Sequence, residues 1–221
     1  MNPSEKHILE IDSVELSFKG RQVLSGVYLP VETGCVTAVL GRNGCGKSCL
    51  MKILCGALKP EFRSMRIDGV WHERFTESEV RYLPQHRFIP GWLRLERVLD
   101  DFGLPREELE AWFPTFIRLR GCRVGNMSGG EERILECFLT LRSPTQFVLL
   151  DEPFSQIEPL HVTVLKQLIQ EEKKTKGILL TDHMYRHAAG IADRLYVMSE
   201  GRTYLCENAE ELVRRGYLKH L

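Results

Sequence analysis

No run of apolar residues in this 221-residue chain approaches the roughly 18 that a membrane-crossing helix requires, so the sequence itself supplies no span. Charge of one sign is also lacking: 30 Lys and Arg balance 30 Asp and Glu, and no basic run is long. The electrostatic footprint of a non-specific nucleic-acid binder is therefore missing, and no nucleic-acid partner is expected. Cysteines 35, 45, 49, 55, 122, 137 and 206 form no C-x-x-C pair and are odd in number, which points to reduced thiols rather than disulfides or zinc. The amino-terminal Met-Asn-Pro-Ser-Glu-Lys-His lacks the apolar centre of a secretion signal, so a cytoplasmic location is expected. Internal repeats, low-complexity tracts and long linkers are absent. What remains is 43% hydrophobic and 27% charged, the balance of a globular chain with one sizeable core or two small ones.

Against that background one stretch stands out. Gly41-Arg-Asn-Gly-Cys-Gly-Lys-Ser48 fits G-x-x-x-x-G-K-[ST] and directly follows Val36-Thr-Ala-Val-Leu40, a short apolar strand. Glycines there let successive backbone N–H groups turn inward as an anion-binding nest, and the phosphate oxygens then meet a helix N-terminus. The helix is predicted over Ser48 to Leu58, ended by Lys59-Pro60. Gly41, Arg42, Asn43, Gly44, Cys45, Gly46, Lys47, Ser48 and Cys49 form the candidate nucleotide site; Lys47 would reach the β- and γ-phosphates and Ser48 Oγ would ligate Mg²⁺.

A second stretch, Phe147-Val-Leu-Leu-Asp-Glu152, reads as a buried parallel strand with two carboxylates at its C-terminal end, the edge where open α/β sheets place their ligands. Asp151 would hold Mg²⁺, directly or through water, and Glu152 would polarise the attacking water. The plainer alternative, a strand end capped by solvated acids, loses force once the first stretch is present.

Met127-Ser-Gly-Gly-Glu131 lies between these two and resembles the signature of the ATP-binding cassette (ABC) ATPases. The resemblance extends over nearly the whole chain. It implies an α/β fold: a P-loop NTPase with a RecA-like parallel-sheet core, an antiparallel β subdomain and a small helical subdomain. In that family the signature of one subunit caps the γ-phosphate of ATP held by another. Ser128, Gly129 and Gly130, at the start of a helix predicted over Glu131 to Leu141, would present those donors. Phe18 matches the aromatic that stacks on adenine. Gln85, in Arg-Tyr-Leu-Pro-Gln, matches the glutamine that touches Mg²⁺ or water. His183, in Ile178-Leu-Leu-Thr-Asp-His, ends a third apolar strand and matches the histidine that contacts the γ-phosphate, and Ser155-Gln-Ile-Glu158 matches a loop at the dimer interface. Departures are few: Met127 and Phe18 replace the commoner Leu and Tyr, Glu131 the commoner Gln, and Glu158 the usual Asp. Every catalytic position is kept, so the resemblance implies an active ATPase using ATP and Mg²⁺.

The remaining pattern fits one domain over 1–221. Residues Ile8 to Val31 alternate as strands around turns at Gly20 and Gly26, and Met65 to Gly69 reads as a strand and turn. Within 86–142 apolar residues recur at helical spacing: Leu95, Val98, Leu99 and Phe102, then Leu109, Trp112, Phe113 and Phe116, with Pro105 marking a helix start. This is the expected helical lobe. Leu195 to Leu205 suggests a hairpin and Glu207 to Arg215 a closing helix.

Phe88, Ile89, Trp92 and Leu93 follow Gln85. In the transporter branch of the family a groove there receives a helix from a transmembrane permease subunit; each residue taken singly reads as core. The resemblance thus implies a head-to-tail dimer around ATP, peripheral on the inner face of a membrane through that partner. A non-transport ABC ATPase, for example of the cluster-assembly type, is the alternative. Cys45 sits inside the phosphate loop, where N–H groups and Lys47 would make it reactive; the simpler reading is a small side chain that fits.

Overall fold

The computed structural model describes residues 6–188, 190–215 and 217. Its strands follow one another as β1 (Ile8–Phe18), β2 (Arg21–Glu32), β3 (Val36–Leu40), β4 (Phe62–Ile67), β5 (Val70–Trp71), β6 (Val80–Leu83), β7 (Phe147–Asp151), β8 (Gly177–Asp182), β9 (Arg194–Ser199) and β10 (Arg202–Leu205). They form two sheets. One is antiparallel with order β2-β1-β4-β5; the other has order β10-β9-β3-β8-β7-β6. In the second, β9, β3, β8, β7 and β6 run parallel and β10 closes the edge antiparallel to β9.

Every residue of β3, β7 and β8 is buried, as expected of strands covered on both faces. Their period of two then sorts side chains into two cores. Ala38, Leu40, Val148, Leu150, Ile178 and Leu180 face the helices. Val39, Phe147, Leu149 and Leu179 join β1, β2 and the phosphate-loop helix. Close approach is required at one pair: Phe147 lies opposite Gly177, where an added Cβ would sit 2.6 Å from the phenyl ring.

The helices are α1 (Lys47–Leu54), α2 (Leu95–Asp101), α3 (Arg106–Trp112), α4 (Gly129–Leu141), α5 (Pro159–Glu172), α6 (Tyr185–Ala188) and α7 (Ala209–Arg214), with 3-10 turns at Pro114–Leu119 and Val124–Asn126. Several boundaries differ from those read in the sequence. α1 stops at Leu54 rather than Leu58, because Gly56 takes φ 75° and Ala57 N–H turns back to the Lys52 carbonyl. Gly26 is not a turn. It is an extra residue within β2, where the β1 register slips between Val14–Val27 and Glu15–Ser25, and its φ of 75° marks a bulge. α3 ends before Phe113 because Pro114 cannot supply the next N–H, so Phe116 enters the core from a 3-10 turn. α4 begins two residues earlier than predicted, set by a capping box: Glu131 N–H donates to Ser128 Oγ (3.3 Å) and Ser128 N–H donates to Glu131 Oε2 (2.8 Å).

Candidate active site

The loop from Gly41 to Gly46 leaves β3 and enters α1. Gly44 and Gly46 have φ of 80° and 112°. At Gly46 a Cβ would also lie 2.7 Å from the Leu24 side chain, so both conformation and space demand glycine. The first turn of α1 holds no acidic residue of its own, so no side chain there competes with an incoming anion. Lys47 is buried; its Nζ donates to the Gly41 carbonyl at 2.7 Å and the Arg42 carbonyl at 3.3 Å, with Cys45 Sγ at 3.9 Å. Arg42, Asn43 and Gly44 are exposed, while Cys45, Ser48 and Cys49 are half-buried. Burial pushes the Cys49 thiol up; Lys52 opposes that rise, and the neighbouring Asp151 and Cys45 add to it.

Sheet register brings the other candidates to the same edge. Leu40 pairs with Asp182 and Asp151 with Thr181, so β3, β8 and β7 end together. Asp151 is fully buried: Thr181 Oγ1 donates to Oδ1 at 2.6 Å and Tyr82 hydroxyl to Oδ2 at 3.3 Å. Burial, then the neighbouring Asp151, raises the Tyr82 phenol, which keeps it a donor. One residue on, Glu152 has φ 51°, the left-handed region. Gln85 Nε2 donates to Glu152 Oε2 at 3.1 Å, and His183 Nδ1 lies 3.5 Å from Glu152 Oε1. Gln85, Glu152 and His183 therefore meet around one carboxylate. Buried Asp182 shapes the histidine loop by accepting from Met184 N–H (2.8 Å) and lying 3.2 Å from His187 Nδ1.

Ser128, Gly129 and Gly130 sit elsewhere, in a cleft of about 500 Å³ with Arg118, Gln156 and Glu158. Ser128 Oγ uses a lone pair on the Glu131 amide, and its O–H stays free to donate. The glycines have a second role that the sequence did not suggest. A Cβ at Gly129 would come within 2.6 Å of Gln156 Oε1, and one at Gly130 within 2.7 Å of the Gln156 carbonyl oxygen. Gln156 itself is in the left-handed region at φ 62°. Phe18, nearly half exposed, borders a separate cleft of about 880 Å³ with Gly44, Cys45, Arg21, Arg202 and Tyr204. The two clefts share no residue.

Arg133 and Glu136 were missed by sequence reasoning. Both are buried on α4, and Arg133 donates to the Pro84, Asp151 and Glu152 carbonyls. Opposite charges at i and i+3 on the helix predicted over Glu131 to Leu141 were the one available signal, and it does not distinguish a buried pair from a solvated one.

Among the described residues no three His, Cys, Asp or Glu side chains are grouped so as to hold a metal. Mg²⁺ takes only one or two protein carboxylates together with substrate phosphates and water, so a lone buried Asp151 with a serine hydroxyl fits its needs. Each Asp151 oxygen accepts one hydrogen bond and retains a further lone pair.

The family model described as "ABC transporter" matches residues 24–155. The chain belongs to the ABC transporter family. It is an ATPase with the ABC ATPase fold. The lipopolysaccharide export system ATP-binding protein LptB of Acidithiobacillus ferridurans is 30% identical over 93% of this chain and 92% of its own length. A probable ABC transporter ATP-binding protein of Azorhizobium caulinodans is 31% identical over 91% of this chain and 79% of its own. Among solved structures, the ATP-binding subunit of an ABC transporter superposes with a TM-score of 0.77 at 24% identity, covering 97% of this chain and 95% of that one. A bacterial Atm1-family ABC exporter with ATP bound gives 0.80 at 22% identity, covering 96% of this chain and 40% of that one. These two likenesses concern the fold.

Proposed function

We propose that this chain is the motor subunit of a membrane transporter, one nucleotide-binding domain whose two copies pair head to tail around two ATP. The observation that carries the pairing is the separation of the two clefts. The Lys47 loop and Ser128-Gly129-Gly130 are both built to face an anion, yet they line different clefts of one copy. A second copy in the opposite sense brings them face to face, an isologous contact that closes on itself.

In this reading the Gly41–Gly46 amides and Lys47 hold the phosphates, Phe18 stacks on adenine, and the partner's signature serine and glycines cap the γ-phosphate. Ser48 and Asp151 would hold Mg²⁺, which when bound neutralises phosphate charge. Gln85 would approach the same ion and the attacking water. Glu152, oriented by Gln85, accepts a proton from that water, and His183 donates toward the γ-phosphate. Residues 86–142 form the helical lobe.

No helix among the described residues is long and apolar enough to cross a membrane. Relatives are named as ATP-binding proteins of transport systems. Trp92 and Phe88 are exposed, whereas Ile89 is buried and Leu93 half-buried, so the expectation of core holds for only two of the four. The exposed pair supports contact with a transmembrane subunit, and with it a peripheral position on the cytoplasmic face.

The test is Glu152→Gln. With the water-activating carboxylate gone, hydrolysis should fall by about 10²- to 10⁴-fold, and an ATP-bound dimer should accumulate in light-scattering chromatography. A variant that hydrolyses at the native rate, or stays monomeric with Mg·ATP at high concentration, contradicts the proposal.

A further inference from the structure

We propose that Arg133 is a positioning residue for hydrolysis: its guanidinium fixes both ends of the Gln85–Glu152 hydrogen bond. The inference rests on Glu152 acting on the attacking water. One nitrogen, Nη1, donates to the carbonyl of Pro84 at 2.7 Å, the residue immediately before Gln85. The other, Nη2, donates to the carbonyls of Asp151 at 2.5 Å and Glu152 at 3.0 Å. Gln85 and Glu152 are thus gripped from behind by a single planar fork while their side chains meet in front at 3.1 Å.

Burial makes this fork unusual. Arg133 is 5% exposed and Glu136 fully buried, and charged groups are retained in such places only when paired and hydrogen-bonded. Glu136 Oε2 lies 3.4 Å from Arg133 Nη1, and its Oε1 accepts from Phe88 N–H at 2.8 Å. Buried Glu132 pairs with Arg87 at 2.8 Å. One turn of α4 therefore holds the backbone on both sides of Gln85, and the same turn reaches the end of β7. A left-handed φ at a non-glycine such as Glu152 persists only where surroundings over-determine it, and two of the three Arg133 carbonyl contacts flank that residue. Displacement of residues 84–88 is accordingly passed to the Glu152 carboxylate through one rigid side chain.

The experiment compares Arg133→Lys, Glu136→Gln and Glu152→Gln with the native chain, with rates expressed per mole of bound ATP so that partial unfolding drops out. Lysine keeps the charge opposite Glu136 but has no fork to span the Pro84 carbonyl and those of Asp151 and Glu152. Its kcat is expected to fall between about ten- and a hundredfold with KM for ATP within about twofold of native. Glu136→Gln keeps an oxygen that can accept from Phe88 N–H and leaves the three carbonyl contacts of Arg133 in place, so its kcat should fall clearly less than that of Arg133→Lys. Should the lysine variant not fold, Arg133→Gln combined with Glu136→Gln removes both charges together and carries the same expectation. A positioning role is overturned if the Arg133 variant keeps native kcat, if kcat and KM change together, or if Glu136→Gln loses as much. Glu152→Gln tells the two failures apart: native-like hydrolysis there refutes the role of Glu152, whereas its loss alongside an unaffected Arg133 variant refutes this inference alone.

Discussion

Gly129 and Gly130 are neighbours in the signature, yet alanine should act differently at each. At Gly130 the new methyl lands 2.7 Å from the Gln156 backbone carbonyl, with the Gln156 carbonyl carbon and Ile157 Cα each 3.7 Å away. That backbone cannot easily retreat, because Gln156 is already at φ 62° and Ile157 is buried. Overpacking of this kind costs about 1–3 kcal/mol, and the gain in helix propensity offsets at most about 1 kcal/mol. A net loss of about 1–2 kcal/mol lowers the melting temperature of a chain this size by roughly 2–8 °C. At Gly129 the methyl meets the ends of two side chains, Gln156 Oε1 at 2.6 Å and Arg87 Nη2 at 3.2 Å, which can swing toward solvent. Gly129→Ala should therefore melt within about 1 °C of native or slightly above it, since the substitution keeps most of the propensity gain. Both variants should lose ATP hydrolysis, because the surface that would cap phosphate is altered in each. Calorimetry with steady-state ATPase assays checks the pair. Equal melting of the two variants, or a destabilised Gly129→Ala with a native Gly130→Ala, would refute the steric argument.

Trp92→Ala should weaken association with a co-purifying membrane protein while basal ATP hydrolysis stays near native, because the indole is 72% exposed and contributes little to the core; equal recovery of that protein by pull-down contradicts the assignment of this surface. Cys45, half-buried beside Lys47, should react with a mild alkylating label faster than Cys49, whose thiol is raised by burial, and bound ATP should protect it. Peptide mass mapping reads both effects, and labelling of Cys45 no faster than the other cysteines removes it as a reactive site.

Much of the parallel sheet was legible because buried strands announce themselves as short apolar runs: Val36–Leu40, Phe147–Leu150 and Ile178–Leu180 read as strands and are strands. Glu152, Gln85 and His183 were found through motif position, and their meeting at one carboxylate follows from register, which no single segment reveals. Local reading failed where conformation depends on a partner. Gly26 looks like a turn until its opposing strand shows it to be a bulge. Phe116 carries helical spacing, but Pro114 interrupts the helix it would need. α5 was passed over although Val162, Leu165 and Ile169 recur at helical spacing and Pro159 opens its first turn; the one start signal it lacks is a capping side chain at Glu158. Arg133 was passed over since a charged residue after the signature reads as solvent-facing, and only the closure of three segments around it makes it buried.

The central claim is that each hydrolytic site is shared between two copies, and mixing two inactive variants tests it most directly. Lys47→Ala removes the phosphate lysine, and Ser128→Arg fills the signature; each alone should be inactive. In a mixed dimer one site inherits both lesions and the other inherits neither. If the sites are shared, mixing equal amounts should restore up to about a quarter of the native rate, since half of randomly paired dimers are mixed and one of their two sites is intact. If each chain builds its whole site alone, the mixture stays as inactive as its components, and the shared-site account is wrong.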